Sequence, residues 1–325
     1  MQASHNPSAP KVSIIIPSYK TAHLIPACLD SIFAQTFPDF EVIVVNDGSP
    51  DTPELEKAIQ PYSDRIVYIQ QENKRAAAAR NHAIRHARGE FLAFLDSDDT
   101  WLPDHLANQM SLFTADPLLG LTYANALLVG DPRREIAFSQ VCPSYGEATF
   151  EALIVERCQI PISTVVVRKQ SVLDVGMFDE RLPRCDDYDL WVRIAFKGNK
   201  IAYSDKVQSR LSIGRPGSLG LVRAKMAEAY VNMLEKFQRT LPLSEAQRSL
   251  VEKRTAYAKA LYMLEEGKCR LAERQYDQAK DLFTGANAYY RRSSLSLTVL
   301  GLDLAPGPTS KLVSFILRKR NRALA

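Results

Sequence analysis

The segment FLAFLDSDDTW, Phe91 to Trp101, runs from apolar residues into three carboxylates, Asp96, Asp98 and Asp99. Carboxylates this close repel one another, and each raises its neighbours' pKa unless something positive sits among them. Two explanations stand. The aspartates are turn and helix-cap residues ahead of Pro103, or they share a cation. A divalent ion would also bring chemistry, because Mg²⁺ and Mn²⁺ take carboxylate and phosphate oxygens together. Neither GxGxxG after the first apolar run nor GxxxxGK[ST] occurs in the sequence. That argues against a dinucleotide dehydrogenase and a P-loop NTPase, and leaves a phosphate-bearing ligand in need of another positive charge. A second acidic group lies in CDDYDLWVR, where Asp187, Leu190, Trp191 and Ile194 fit one helix with Asp187 at its start.

The elements that must position these groups alternate regularly. KVSIIIPSY, EVIVVNDGS, RIVYIQQ and EFLAFLD read as strands, two of them β-branched and buried in type. Between them the stretches from Leu24 to Gln35, PELEKAIQPY and AAAARNHAIRHAR read as helices. Strand–helix alternation at this pitch predicts a parallel sheet with helices on both faces. In such sheets ligands gather at the carboxyl ends of the strands. Here those ends carry Pro17-Ser18-Tyr19, Asn46-Asp47-Gly48-Ser49, Asn73-Lys74-Arg75 and the aspartate cluster itself. Four polar strand ends converging on one edge predict a site.

Totals bound the rest. A chain of 325 residues is long for a single core, which predicts one large domain with an appendage. The net charge of +4 is too small to imply a nucleic-acid partner. Five scattered cysteines without a CxxC pair argue against a disulfide framework and a zinc site, and for a reducing compartment. The leader, residues 1–10, has no apolar core and is expected to be flexible, and no apolar run is long enough to span a bilayer. The expected location is cytoplasmic, at the inner face of the cell membrane if the tail attaches there.

The set IIIPSYK, VVNDGSPD, ENKRAAAARNHAIRHARGEFLAFLDSDD and DDYDLWVR, in that order, resembles the family-2 inverting glycosyltransferases of GT-A fold, over roughly residues 11–215. The resemblance implies an α/β fold, a GT-A (Rossmann-like) mostly parallel sheet flanked by helices, with a helical C-terminal extension. It implies a nucleotide-sugar half at about 11–100 and an acceptor half at about 101–218, and the helical pattern beyond sets off residues 219–325 as a separate region. It further implies a nucleotide-sugar donor, expected to be a UDP-sugar, a glycan or lipid-linked glycan acceptor, and Mn²⁺ or Mg²⁺ as cofactor. Residue by residue, Pro17, Ser18 and Tyr19 match the segment flanking the base, and Asp47 the acid that accepts a hydrogen bond from it. Arg80 matches an arginine near base and ribose. Asp96, followed by Ser97, matches the first acid of the DxD motif near ribose or metal, and Asp98 the metal ligand. Asp187 matches the catalytic base, with Asp186 where glutamate is usual.

The chemistry suits these residue types. Inverting transfer is one displacement, so a carboxylate must take the acceptor hydroxyl's proton opposite the leaving group. It must sit on a different segment from the metal ligands, and Asp187 meets that condition. Bland roles compete: Asp47 as a turn residue before Gly48, Arg80 as a solvated helix residue, Asp187 or Asp186 as an N-cap. Trp101 and Trp191, with Asp186, are candidates for the donor-sugar or acceptor pocket, and core packing competes for both indoles. Asp99 is expected to orient the loop or cap the next helix. The sequence departs from the family pattern at Asn46, where an acid is common, and at Arg75, where glycine is usual. The segment SRLSIGRPGSL lacks a histidine sometimes found there, leaving Arg210 or Arg215 to offset diphosphate charge. The competing class is a non-catalytic adaptor of the same fold acting through its C-terminus.

From Leu219 to Arg291 the pattern is helical, broken at Pro242 and Ser244. The spacing of Ala260, Gly267, Tyr276, Ala279, Phe283 and Ala286 resembles one tetratricopeptide-type helix pair. The tail LVSFILRKRNR sets apolar residues beside Arg318, Lys319, Arg320 and Arg322, the pattern of a peripheral membrane-surface helix, with a frayed terminus as the alternative.

Overall fold

The computed structural model describes residues 9–131, 134–213, 223–313 and Phe315. Most of the expected leader, Arg215 and the basic cluster of the tail lie outside them. The chain divides into two compact units, Met1–Ser218 and Leu219–Ala325.

The first unit holds one nine-stranded sheet. Its strands are β1 (Val12–Ser18), β2 (Phe40–Asp47), β3 (Val67–Gln71), β4 (Phe91–Phe94), β5 (Thr100–Trp101), β6 (Leu119–Asp131), β7 (Arg134–Ala137), β8 (Val166–Arg168) and β9 (Lys200–Ser212). They run in the order β3-β2-β1-β4-β8-β6-β9-β5, with β7 paired to β6. β3, β2, β1 and β4 are parallel, β8 is antiparallel to both β4 and β6, and β9 is parallel to β6. The order reverses beside β1, where β2 lies on one side and β4 on the other, so a crevice opens at their carboxyl ends.

Helices α1 (Ile25–Phe33), α2 (Thr52–Ile59), α3 (Arg75–His86) and α4 (His105–Ala115) follow β1, β2, β3 and β5; α5 (Phe138–Val141), α6 (Phe150–Ile154) and α7 (Lys169–Asp174) are short; α8 (Asp186–Phe196) precedes β9. Alternation along β1 decides which helix packs where. Val12, Ile14 and Ile16 join Val42 and Val44 in one apolar cluster with Ile25, Leu29 and Ile32 of α1, Leu55 of α2 and Leu106 of α4. On α3 the run of small residues Ala77, Ala78, Ala79 and Ala83 is buried, which lets its backbone come close to β1 and β2. These contacts fix where the strand ends point.

The second unit is helical: α9 (Arg223–Thr240), α10 (Glu245–Ala272), α11 (Tyr276–Tyr290) and α12 (Ser293–Leu304), with residues 306–313 helical as well. Ser244 caps α10 in a reciprocal box with Gln247, which accounts for the break expected there. α10 and α11 meet at Gly267, where an added Cβ would stand 2.7 Å from the Phe283 ring. Ala260, Ala279 and Ala286 are buried along the same pair.

Candidate active site

The crevice is built from loops that hold one another. Ser18, at the end of β1, bonds to Thr21 at 3.0 Å, and Thr21 to Ser97 at 2.8 Å. This chain of buried hydroxyls ties the first strand end to the aspartate loop, so the Ser18 and Ser97 side chains are spent inside the protein. Tyr19 is exposed, with the Lys20 ammonium 5.2 Å from its ring centroid. Pro17 lies within β1 opposite Val45.

Asp47 ends β2 and is buried. Its Oδ1 accepts from Gln71 Nε2 and from the Lys74 amide, both at 2.8 Å, while its Oδ2 has no partner among the described residues. The bonds orient one carboxylate oxygen and leave the other for a ligand. Beside it Asn46 donates to Thr52 at 2.8 Å and to Tyr68 at 3.0 Å, and accepts from the Ser49 amide at 2.9 Å. An ionised acid could not donate, so asparagine here serves the loop. Arg75 adopts a left-handed φ of 72°, a conformation that favours glycine.

In the aspartate loop, oxygens of Asp96, Asp98 and Asp99 all lie within 4.8 Å of one another. Ions of this class bind oxygens at about 2.0–2.1 Å, so ligands across the ion stand about 4.2 Å apart. The three carboxylates therefore fit a divalent cation after a small closure. They are not equal. Asp99 is buried, accepting from Ser163 Oγ at 2.5 Å and from the Ser212 amide at 2.8 Å. Burial, with Asp96 and Asp98 adding to it, pushes its carboxyl well above the ordinary range. Ser163 also accepts from the Asp96 amide at 3.1 Å, and Ser212 Oγ donates to the Asp98 carbonyl at 2.8 Å. The orienting role expected of Asp99 thus has its partners. Ser163 and Ser212 had no signal in the sequence, since both are far from the cluster along the chain.

Arg80 departs most from expectation. Its side chain is 6% exposed. Nη2 meets Asp96 Oδ1 at 2.7 Å and Nη1 meets Asp186 Oδ2 at 3.0 Å, so two carboxylates, not solvent, pair with its guanidinium. Burial works against its charge, but Asp96, Asp186 and Asp187 together raise its pKa above the ordinary value. Asp187 is half-buried and accepts from the Tyr188 amide at 2.8 Å. Desolvation, then repulsion from Asp186, lifts its carboxyl to about 7, with Arg80 pulling the other way. Asp189, the third acid of the segment, is fully buried and paired to Arg193 at 2.6 Å, a structural role.

The two indoles belong to the core. Trp101 is 3% exposed, stacks on His105 at 4.3 Å and donates to the Ser163 carbonyl at 2.7 Å. Trp191 is fully buried among Phe94 and Phe178. Both rings are covered by their neighbours and almost wholly removed from solvent. Arg210 pairs with Glu135 at 2.9 Å.

Residues 13–140 match the family model described as glycosyl transferase family 2. The chain is 33% identical over 192 residues to the Escherichia coli protein WfgD, described as a UDP-Glc:alpha-D-GlcNAc-diphosphoundecaprenol beta-1,3-glucosyltransferase, across 59% of this chain and 72% of that one. It belongs to glycosyltransferase family 2. The fold agrees with solved members at low identity. Staphylococcus aureus TarS 1–349 in complex with UDP-GlcNAc superposes with a TM-score of 0.60 at 18% identity, covering 95% and 92% of the two chains. The Pyrobaculum calidifontis mannosyltransferase PcManGT, in complex with GDP-Man and Mn2+, gives 0.60 at 22% identity over 94% and 86%. The sheet and its flanking helices are thus of GT-A type. The chain spans about a third of the length of the first curated relatives it matches, 31% for two Rickettsia proteins.

Proposed function

We propose that this family member moves a sugar from a nucleoside-diphosphate donor, a UDP-sugar, to a hydroxyl of a glycan or lipid-linked glycan with inversion at the anomeric carbon. The observation that carries the reading is that Asp47 and the Asp96/Asp98 pair stand at neighbouring strand ends, while Arg80 links Asp96 to Asp186, the residue next to Asp187. In this reading Asp47 Oδ2 accepts from the base. Asp96 and Asp98 would hold a divalent cation, which when bound supplies positive charge against the diphosphate. Asp187 takes the proton of the acceptor hydroxyl as that oxygen attacks the anomeric carbon. The carbon–oxygen bond to the diphosphate breaks, and its electron pair leaves with the nucleotide. A carboxyl lifted to about 7 suits a general base near neutral pH.

The lipid-linked acceptor and UDP-glucose of WfgD, the UDP-GlcNAc of TarS and the Mn2+ of PcManGT support these classes of substrate and cofactor. Peripheral contact with a membrane fits a lipid-linked acceptor, and no helix among the described residues is long and apolar enough to cross one. Thermal stability measured with UDP, GDP and dTDP, each with and without Mn²⁺, tests the reading. A ligand at a hundredfold excess over its dissociation constant adds about 2.7 kcal/mol, a rise of roughly 5 to 10 °C for a domain of this size. A rise with UDP plus metal alone is expected. No rise with any nucleotide would favour the adaptor.

A further inference from the structure

Within the proposed reaction, the leaving-group side and the base side come from segments far apart in sequence. Asp96 and Asp98 follow β4, and Asp187 opens α8. Something must set the distance between them. The segment before α8 is pinned to α3 by Asn81, which donates to the Phe178 carbonyl at 2.9 Å and accepts from the Phe178 amide at 3.0 Å. One residue earlier on α3, Arg80 reaches both Asp96 and Asp186. Cys185, just before Asp186, is held at φ 59°, a left-handed conformation that is costly for a non-glycine residue and persists only where its surroundings enforce it. The Arg80 Nε is buried without a hydrogen-bond partner, so the side chain accepts a cost to keep its two terminal nitrogens in place.

We propose that Arg80 is a positioning residue, a buried clamp that fixes the base-bearing end of α8 against the aspartate loop, with Asp186 as its anchor. The planar guanidinium offers donors in a fixed fork and can serve two carboxylates at once, whereas a lysine ammonium is a single point charge. Arg80 then contributes to the rate through the placement of Asp187 and makes no contact with the nucleotide. The inference rests on Asp187 as the base.

The test uses the full chain and the variants Arg80→Lys, Asp186→Asn and Asp96→Asn. Hydrogen exchange over residues 186–190, without ligand, is read first. Asp96 reaches α8 through Arg80, so a clamp requires exchange there to rise in Asp96→Asn as well as in Arg80→Lys. Turnover is followed as UDP released from UDP-glucose, and affinity by titration with UDP and Mn²⁺. Arg80→Lys and Asp186→Asn should lower kcat by about tenfold to a hundredfold, as small misplacements of reacting groups do, with the UDP dissociation constant within about threefold of the parent. Unchanged exchange in Asp96→Asn overturns the clamp. So does a tenfold weaker UDP affinity with kcat retained in Arg80→Lys, which would make Arg80 a nucleotide contact. If Arg80→Lys does not fold, Asp96→Asn and Asp186→Asn decide the matter. A parent that neither binds UDP nor releases it from UDP-glucose would end the proposed function, while the exchange result still judges the clamp.

Discussion

At the scale of single residues, each acid of the crevice is set apart by what already bonds to it. Asp99 is held by Ser163 and Ser212 and Asp189 by Arg193, whereas Asp98 and Asp187 are the acids to which the proposed function gives the metal and the proton. Asp98→Asn removes a charged ligand and is expected to abolish the metal-dependent part of UDP binding; equal affinity with and without Mn²⁺ in both parent and variant would refute a metal site. Asp187→Asn should bind UDP like the parent and lose transfer. The pH profile carries a sign. A base must be deprotonated, and burial with Asp186 beside it holds Asp187 protonated up to about 7. kcat/KM should therefore climb tenfold per pH unit below that value and level above it, as measured by UDP release from UDP-glucose. A flat profile from pH 5 to 8 would contradict the assignment.

At the scale of elements, the site depends on strand ends braced by later parts of the chain. Ser163 precedes β8 and Ser212 ends β9, yet both grip the loop after β4. Ser163→Ala removes one acceptor and one donor there. A cost of about 1 to 3 kcal/mol is expected for the unsatisfied groups, together with weaker Mn²⁺-dependent UDP binding. Thermal unfolding and titration would show both, and a loss of stability alone would limit Ser163 to a structural part. In the second unit the Gly267 contact allows α10 and α11 to approach. Gly267→Leu places a side chain where the Phe283 ring stands, so a loss of about 1 to 3 kcal/mol follows from overpacking, read as a lower Tm.

At the scale of the whole molecule, charge is unevenly spread. Residues 291–325 carry seven basic and one acidic side chains, which leaves 34 and 36 for residues 1–290. The basic excess lies at one end of the chain. On α12, Leu297, Leu300 and Leu304 are exposed at a spacing of three and four, one face of a helix. Apolar and basic groups in the same stretch suit an anionic lipid surface, where each basic residue contributes about 1 kcal/mol near the headgroups. Removing the residues after Lys311 should reduce sedimentation with anionic vesicles at low salt, and undiminished binding would leave the tail a plain terminus.

The alternation of apolar runs, the polar strand ends and the acidic clusters are local features, so the sheet and the order of its strand ends were readable from residue order, and Asp47, Asp98 and Asp187 stood out as candidates. The separation of Asp99 from Asp98 was only partly so, because Ser163 and Ser212 approach from distant strands. The burial of Arg80 between two carboxylates was not readable, since its helix position gives no hint of Asp186, which lies over a hundred residues away. Trp101 and Trp191 could not be placed by type, because an indole serves a core or a pocket equally well until its neighbours are known. Helices and strands follow from local pattern, whereas the partner of a buried charge is a long-range pairing that only the closed tertiary structure selects.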